Sequence, residues 1–153
     1  MLRLYLLGSP RLERDGAALP LRRSKALALL AYLAVTGRAQ SREHLQALLW
    51  SEFPEADARN NLRRELSQLR SSLGAVALVA DRRQIAWQHG PDTWVDVTVF
   101  TGLLAAARAH AAPGALDDPA AQSLATAMHL AAGELLDGFH LADSPSFEDW
   151  VFY

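Results

Sequence analysis

The chain has 153 residues, half of them apolar and 21% charged, a balance that excludes disorder as the main state and suits one domain or two small ones. It has no cysteine, which removes disulfides, thiolate metal sites and cysteine nucleophiles together and suits a reducing, cytoplasmic setting. The formal net charge of −2 conceals a split: Met1 to Val95 holds 14 Lys/Arg against 9 Asp/Glu, a balance of +5, whereas Asp96 to Tyr153 holds Arg108 alone against 8 acids, a balance of −7.

Two jobs follow from that split, with contact to a polyanion expected only from the first part. The longest apolar run, Ala26 to Val35, has ten residues and is too short to span a bilayer, so neither membrane nor export is expected.

Taken in chain order, Leu2, Leu4 and Leu6 alternate with Arg3 and Tyr5, the period of a half-buried strand. After Gly8-Ser9-Pro10, a second short strand is expected over Arg11 to Arg14. Asp15-Gly16 is a hairpin turn signal that folds a third, Ala17 to Leu21, back on it, giving a small antiparallel N-terminal sheet. Ser24 is the expected cap of a helix over Lys25 to Val35, whose Leu27, Leu30, Ala31 and Ala34 stripe is widened by Leu29 and Leu33 and so should be largely buried. Thr36-Gly37 ends it, and Ser41 opens a second helix with Leu45, Leu48 and Leu49 inward; His44 in place of Glu leaves the capping box incomplete.

Pro54, with Glu55 and Asp57 in the opening turn, begins a longer helix that Gly74 closes. Strands are then expected over Ala77 to Ala80 and Gln84 to Trp87, around Asp81-Arg82-Arg83, and near Trp94 to Val97. Beyond Asp96 the sequence turns to alanine-rich helices, Thr98 to Ala111 and Pro119 to Ala132, divided by Pro113-Gly114. The end, Phe147 to Tyr153, reads as the start of another helix, and the chain therefore as a fragment.

The third helix carries the functional signal. At 100° per residue, Leu62, Leu66, Leu69 and Leu73 fall within about 60°, and the opposite side carries Asn60, Arg64, Ser67 and Ser71 without an acid. Arg59, Arg63 and Arg70 flank this face on one side, and Asn61, Gln68 and Glu65 on the other. Arg matches guanine O6/N7 and Asn or Gln matches adenine N6/N7 in the major groove, while Ser approaches closely or bonds phosphate. Asn60, Arg63, Arg64, Ser67 and Gln68 are accordingly the candidates for base readout. Arg22, Arg23 and Lys25 before the first helix, Ser41, Arg42 and Arg59 at helix starts, and Arg82 and Arg83 at the hairpin tip are the candidates for backbone or minor-groove contact. The plainer alternative, a solvated amphipathic helix, normally mixes both charge signs on its outer face.

The matching stretches Leu6-Leu7-Gly8, Lys25 to Leu33, Ser41-Arg42-Glu43, Leu48-Leu49-Trp50 and Ala58-Arg59-Asn60-Asn61-Leu62-Arg63, running on to Leu69-Arg70 and Leu73-Gly74, resemble an OmpR/PhoB-type winged helix. Trp94-Val95-Asp96-Val97 with Phe100, then Gly133 to Phe139 and Phe147-Glu148-Asp149-Trp150, resemble the bacterial transcriptional activator domain that follows it in regulators of the antibiotic regulatory protein (SARP) type.

The resemblance implies an α+β fold: a winged helix-turn-helix over residues 1–95, with an N-terminal antiparallel sheet and a hairpin wing, then a truncated, tetratricopeptide-like all-α segment over 96–153. It implies a DNA-binding transcriptional activator, with the third helix in the major groove of double-stranded DNA. The expected sites are direct repeats near promoters and the expected protein partner is RNA polymerase, with possible self-association through the helical segment.

An enzyme is not expected. There are ten serines and five histidines, but no Gly-x-Ser-x-Gly, no Gly-rich loop with Lys and no His-Glu-x-x-His. No cofactor is expected, and no metal either, since His129, Glu134, Asp137, His140 and Asp143 match no standard ligand spacing. His44, His89 and His110 are read as hydrogen-bonded or exposed, and Trp50 and Trp87 as core aromatics. The rival function is a protein-interaction module that uses the same fold, with the Ala-rich helices gripping a partner.

Overall fold

The computed structural model of the chain describes residues 1–74, 77–112 and 115–152. Strands β1 (Leu2–Tyr5), β2 (Arg11–Arg14) and β3 (Ala17–Ala18) form an antiparallel meander. Leu2, Leu4 and Leu6 are buried on one face, as their alternation requires. Asp15 and Gly16 both have positive φ, 51° and 82°, which is the backbone of a two-residue hairpin turn whose twist matches its strands. Strand β3 stops at Ala18, three residues short of the expected end, and Pro20, which has no N–H to donate, follows close behind.

The expected antiparallel sheet is corrected at its other edge. Strand β7 (Thr93–Val95) joins β1 in parallel, Leu4 opposite Val95, so the sheet order is β3-β2-β1-β7. Three residues are too few to declare a partner by pattern, and the pairing is sealed by non-local contacts. On the sheet's outer face Tyr5 packs against Trp94 with ring centroids 5.1 Å apart, and the Arg11 guanidinium lies 3.7 Å over the Tyr5 ring.

Helix α1 (Ser24–Thr36) begins one residue before the expected start, with Arg23 at the cap position and no side-chain cap; Ser24 is its first residue rather than its cap. Gly37 ends it with φ 62°, its N–H donating to the Leu33 carbonyl. The short β4 (Gln40–Ser41) leads into α2 (Arg42–Trp50), where the Ser41 hydroxyl accepts from the His44 N–H, the expected cap. Helix α3 (Glu55–Leu73) runs the expected length. Strands β5 (Leu78–Ala80) and β6 (Gln84–Trp87) form a hairpin that pairs with β4 in the order β4-β6-β5.

Leu29, Leu30 and Leu33 of α1, Leu45 and Leu49 of α2, Leu62, Leu69 and Leu73 of α3, and Ile85 of β6 meet in one core against Leu4 and Leu6. Trp50 and Trp87 are buried at its edges. At roughly 1.5–3 kcal/mol per fully buried aliphatic side chain, this core is what holds α3 in place.

Helix α4 (Asp96–His110) starts two residues earlier than expected and follows β7 without a break, so Val97 is helical rather than extended. The buried Asp96 carboxylate accepts from the backbone N–H groups of Leu6 and Leu7 at 2.7 and 2.8 Å and from Val97 at 2.7 Å. Helix α4 packs along α5 (Asp118–Leu130), the two connected through a backbone pair of β8 (Ala111–Ala112) and β9 (Ala115–Leu116). The expected Pro113-Gly114 break lies outside the described residues.

After α5 the chain returns to the first half. The segment 134–137 pairs with residues 6–8, Gly8 donating to the Glu134 carbonyl, Leu136 to Leu6 and Asp137 to Gly8. Gly8 has φ 99°, and a side chain at Gly133 would start 3.1 Å from the Gly8 Cα, so this crossing needs both glycines. Helix α6 (Pro145–Phe152) then docks on α2 through Phe147, which is fully buried, and Trp150, which meets Tyr32 of α1 edge-on at 4.9 Å. Leu136, Leu141 and Phe147 belong to the same apolar cluster as the leucines of α1 to α3.

Candidate nucleic-acid interface

The leucine stripe of α3 fixes which residues look outward. Asn60, Arg63, Arg64, Ser67, Arg70 and Ser71 are all exposed, while Gln68 is half-buried. Their spacing of three and four residues makes a single band along the helix. Within it the Arg63 guanidinium donates to the Asn60 side-chain carbonyl at 3.2 Å, so two of the candidate reading groups already hold each other. The Arg64 side chain makes no hydrogen bond or ion pair among the described residues. At the start of the helix Arg59 is paired with Glu55, one turn earlier.

Glu65 is a correction. The expected placement on the outer flank fails because, at 100° per residue, Glu65 lies only about 40° from Leu69, and the stripe carries it inward. It is 5% exposed; Arg23 donates to its Oε1 at 2.9 Å, and its Oε2 has no partner. With this acid buried, the outward band is cationic and polar from Asn60 to Ser71; Asp57, exposed on the same face in the first turn, is the acid that the expected acid-free face did not count.

The remaining candidate residues divide between two sides of α3. On one side, Arg42 joins Arg63, Leu66, Ser67, Arg70 and Ser71 around a cleft of about 410 Å³ between α2 and α3, and no acid lines it. Arg82 and Arg83, both exposed, stand at the hairpin tip. The Asp81 carboxylate accepts from the N–H groups of Arg83 and Gln84 at 2.6 and 2.7 Å; these bonds, Gln84 first, hold its pKa below the usual carboxylate value. On the other side, Arg22 and Arg23 face Gln68 and Ser72 across a narrower cleft.

Besides Arg23 and Arg59, already paired with Glu65 and Glu55, three more candidates have other partners. Lys25 is not on this surface: its ammonium donates to the Leu49 carbonyl at 2.8 Å, pairs with Asp143 at 2.9 Å and sits over the Trp50 and Phe53 rings. The Ser41 hydroxyl is taken by the α2 cap. Sequence reasoning also missed the part played by Arg42. Its Nε and Nη2 both donate to the Asp81 carbonyl, at 2.9 and 2.7 Å, a contact 39 residues away that no local pattern announces.

Among the described residues no three His, Asp or Glu side chains converge as a metal site. His129 bonds the Ala125 carbonyl, His140 lies beside Glu148, and Asp143 is paired with Lys25. Among the same residues no helix is long and apolar enough to cross a membrane.

Fold and surface together define an α+β chain that presents an arginine- and amide-bearing helix beside a basic hairpin. No protein-family model matches it, and no curated protein matches it in sequence. Among solved structures it is similar to Mycobacterium tuberculosis EmbR in complex with a low-affinity phosphopeptide, with 26% identity and a TM-score of 0.74. The match covers 99% of this chain and 41% of that one, so it takes in α4 to α6 as well as the helices and hairpin that precede them. The chain thus spans about two-fifths of the length of its neighbour.

Proposed function

We propose that the chain is a sequence-specific double-stranded DNA-binding module of a SARP-type bacterial transcriptional regulator, acting in the cytoplasm as a binding protein and not as an enzyme. In this reading residues 1–95 are a winged helix and residues 96–153 the start of an activator domain. Helix α3 enters the major groove, and the β5–β6 hairpin is the wing, on the backbone or in the adjacent minor groove.

The observation that carries the reading is the outward band of α3, Asn60, Arg63, Arg64, Ser67, Arg70 and Ser71, which is exposed and carries no acid between Asn60 and Ser71, Asp57 standing on the same face in the first turn. Solvated helix faces mix charge signs; from Asn60 to Ser71 this face offers Arg, Asn and Ser, which match the donor and acceptor edges of bases and the phosphates beside them. Arg64, whose side chain has no hydrogen-bond or ion-pair partner among the described residues, is suited to guanine. Arg82 and Arg83 lie where a neighbouring groove or phosphate would be met. The likeness to EmbR along the full chain supports a regulatory role. Activation through RNA polymerase and binding to direct repeats near promoters come from the SARP resemblance and belong to the same proposal.

Selection of bound sequences from random duplex DNA tests it. The wild-type chain should enrich a defined site, and Arg64→Ala should lose about 1–3 kcal/mol on that site and relax preference at one or two base pairs. No enrichment, with retention of duplexes regardless of sequence or none at all, would hand the fold to the protein-interaction reading.

A further inference from the structure

The cleft beside α3 is lined by Arg42, Arg63 and Arg70, and two of these guanidinium groups are bonded to carbonyls of the β5–β6 hairpin. Arg42, the first residue of α2, places Nε and Nη2 on the Asp81 carbonyl, while its own backbone N–H donates to the Arg83 carbonyl at 2.9 Å. Arg70, in the last turn of α3, donates from Nη2 to the Ala80 carbonyl at 3.2 Å. Inside the turn, Asp81 accepts from Arg83 and Gln84 through its carboxylate and donates its own N–H to the Gln84 carbonyl. The two carbonyls that Arg42 and Arg70 hold are therefore the last of β5 and the first of the turn, directly before Arg82.

From this arrangement we infer that Arg42 and Arg70 are positioning residues. They fix the hairpin tip to the start of α2 and the end of α3, so that Arg82 and Arg83 and the outward band of α3 form one rigid surface. A hairpin of three- and four-residue strands has little stability of its own. The β4–β6 pairing and the Arg42 N–H already hold the β6 side of the hairpin to the start of α2; the Arg42 and Arg70 side chains add the turn and the end of β5, and without them each wing contact would carry a larger ordering cost on binding. The forked guanidinium is the side chain suited to gripping a carbonyl through two N–H groups; an ammonium keeps the charge but not the fork. In this inference Arg42, expected from the sequence at phosphate or the minor groove, acts instead through Arg82 and Arg83. The inference rests on the DNA-binding reading for its consequence, though not for its geometry.

Two measurements on the full chain separate these parts. In the free protein, amide exchange of Arg83 and Gln84 should accelerate about five- to tenfold in Arg42→Ala, the size expected for a charge-assisted bond lost at the surface. Unchanged exchange would overturn the tie whether or not the chain binds DNA. On the selected duplex, Arg42→Lys should bind as weakly as Arg42→Ala, and Arg42→Ala should cost less than twofold once Arg82→Ala and Arg83→Ala are already present. Near-wild-type binding by Arg42→Lys, or an equal loss in both backgrounds, would mean that Arg42 contacts the phosphate itself. A wild-type chain that binds no duplex would sink the DNA reading, with the exchange result still deciding the tie.

Discussion

Replacing Phe147 by Ala probes whether the acidic C-terminal part shares its folding with the basic part. The Phe147 side chain is fully buried, with the Phe139 ring 6.1 Å away edge-on and the Trp150 ring at 5.4 Å. An aromatic side chain removes roughly 150–200 Å² from water, which at about 25 cal/mol/Å² is worth about 4–5 kcal/mol. Alanine retains part of this and leaves a cavity, so a loss of about 3–5 kcal/mol is expected. For a chain of this size that is a fall in melting temperature of roughly 10 °C or more. Urea unfolding should show one transition followed both by far-UV dichroism and by tryptophan fluorescence, shifted as a whole. Phe152→Ala, at a ring 73% exposed, is the control and should move it by less than about 0.5 kcal/mol. A loss below about 1 kcal/mol for Phe147→Ala, or a separate early transition that leaves the main one in place, would refute the claim of one continuous core.

Asp96→Ala strands the Leu6 and Leu7 N–H groups and should cost about 2–4 kcal/mol in the same assay, with Asp96→Asn, which keeps an acceptor oxygen, costing less; equal losses would argue against the hydrogen bonds as the cause. Arg23→Ala leaves the Glu65 carboxylate buried without its cation and should cost about 1–3 kcal/mol, discounted because Arg23 is half exposed; adding Glu65→Met should return most of that loss, and no recovery would contradict the account. Because the Asp81 pKa is lowered in the folded chain, its contribution to the hairpin turn is present above the ordinary aspartate value of about 3.9 and is lost as pH falls through the lower folded value. The Arg83 and Gln84 amide resonances should therefore titrate together with a midpoint below the ordinary aspartate value, and a midpoint at or above it would be the wrong sign.

What could be read from the sequence was whatever repeats locally. The leucine spacing of α3 announced its inner face, the alternation of Leu2, Leu4 and Leu6 announced β1, and Asp15-Gly16 announced a turn; the structure has each of them where its pattern put it. The misses share a cause in contacts that join distant residues. The parallel partner of β1 is a three-residue strand 91 positions on by register, Leu4 opposite Val95. Lys25 looked available because its counter-ion, Asp143, lies in the other charge half of the chain. Glu65 reads as exposed by its charge and its polar flank, although its angle on the helix leans toward Leu69. Asp96 did leave a signal, an acid between Val95 and Val97 where a buried strand meets a helix, since a carboxylate in such a place needs donors brought to it.

In the proposed complex the outward band of α3 lies in the DNA groove. Site-specific photocross-linking tests it most directly, with a benzophenone side chain placed at Ser67 in the middle of the band and, as control, at Thr126, exposed on α5. On the selected duplex the account predicts cross-links from position 67 to bases inside the enriched site, abolished by competing specific duplex, and none from position 126. Retained binding with no cross-link from position 67, or cross-links from position 126 instead, would contradict it.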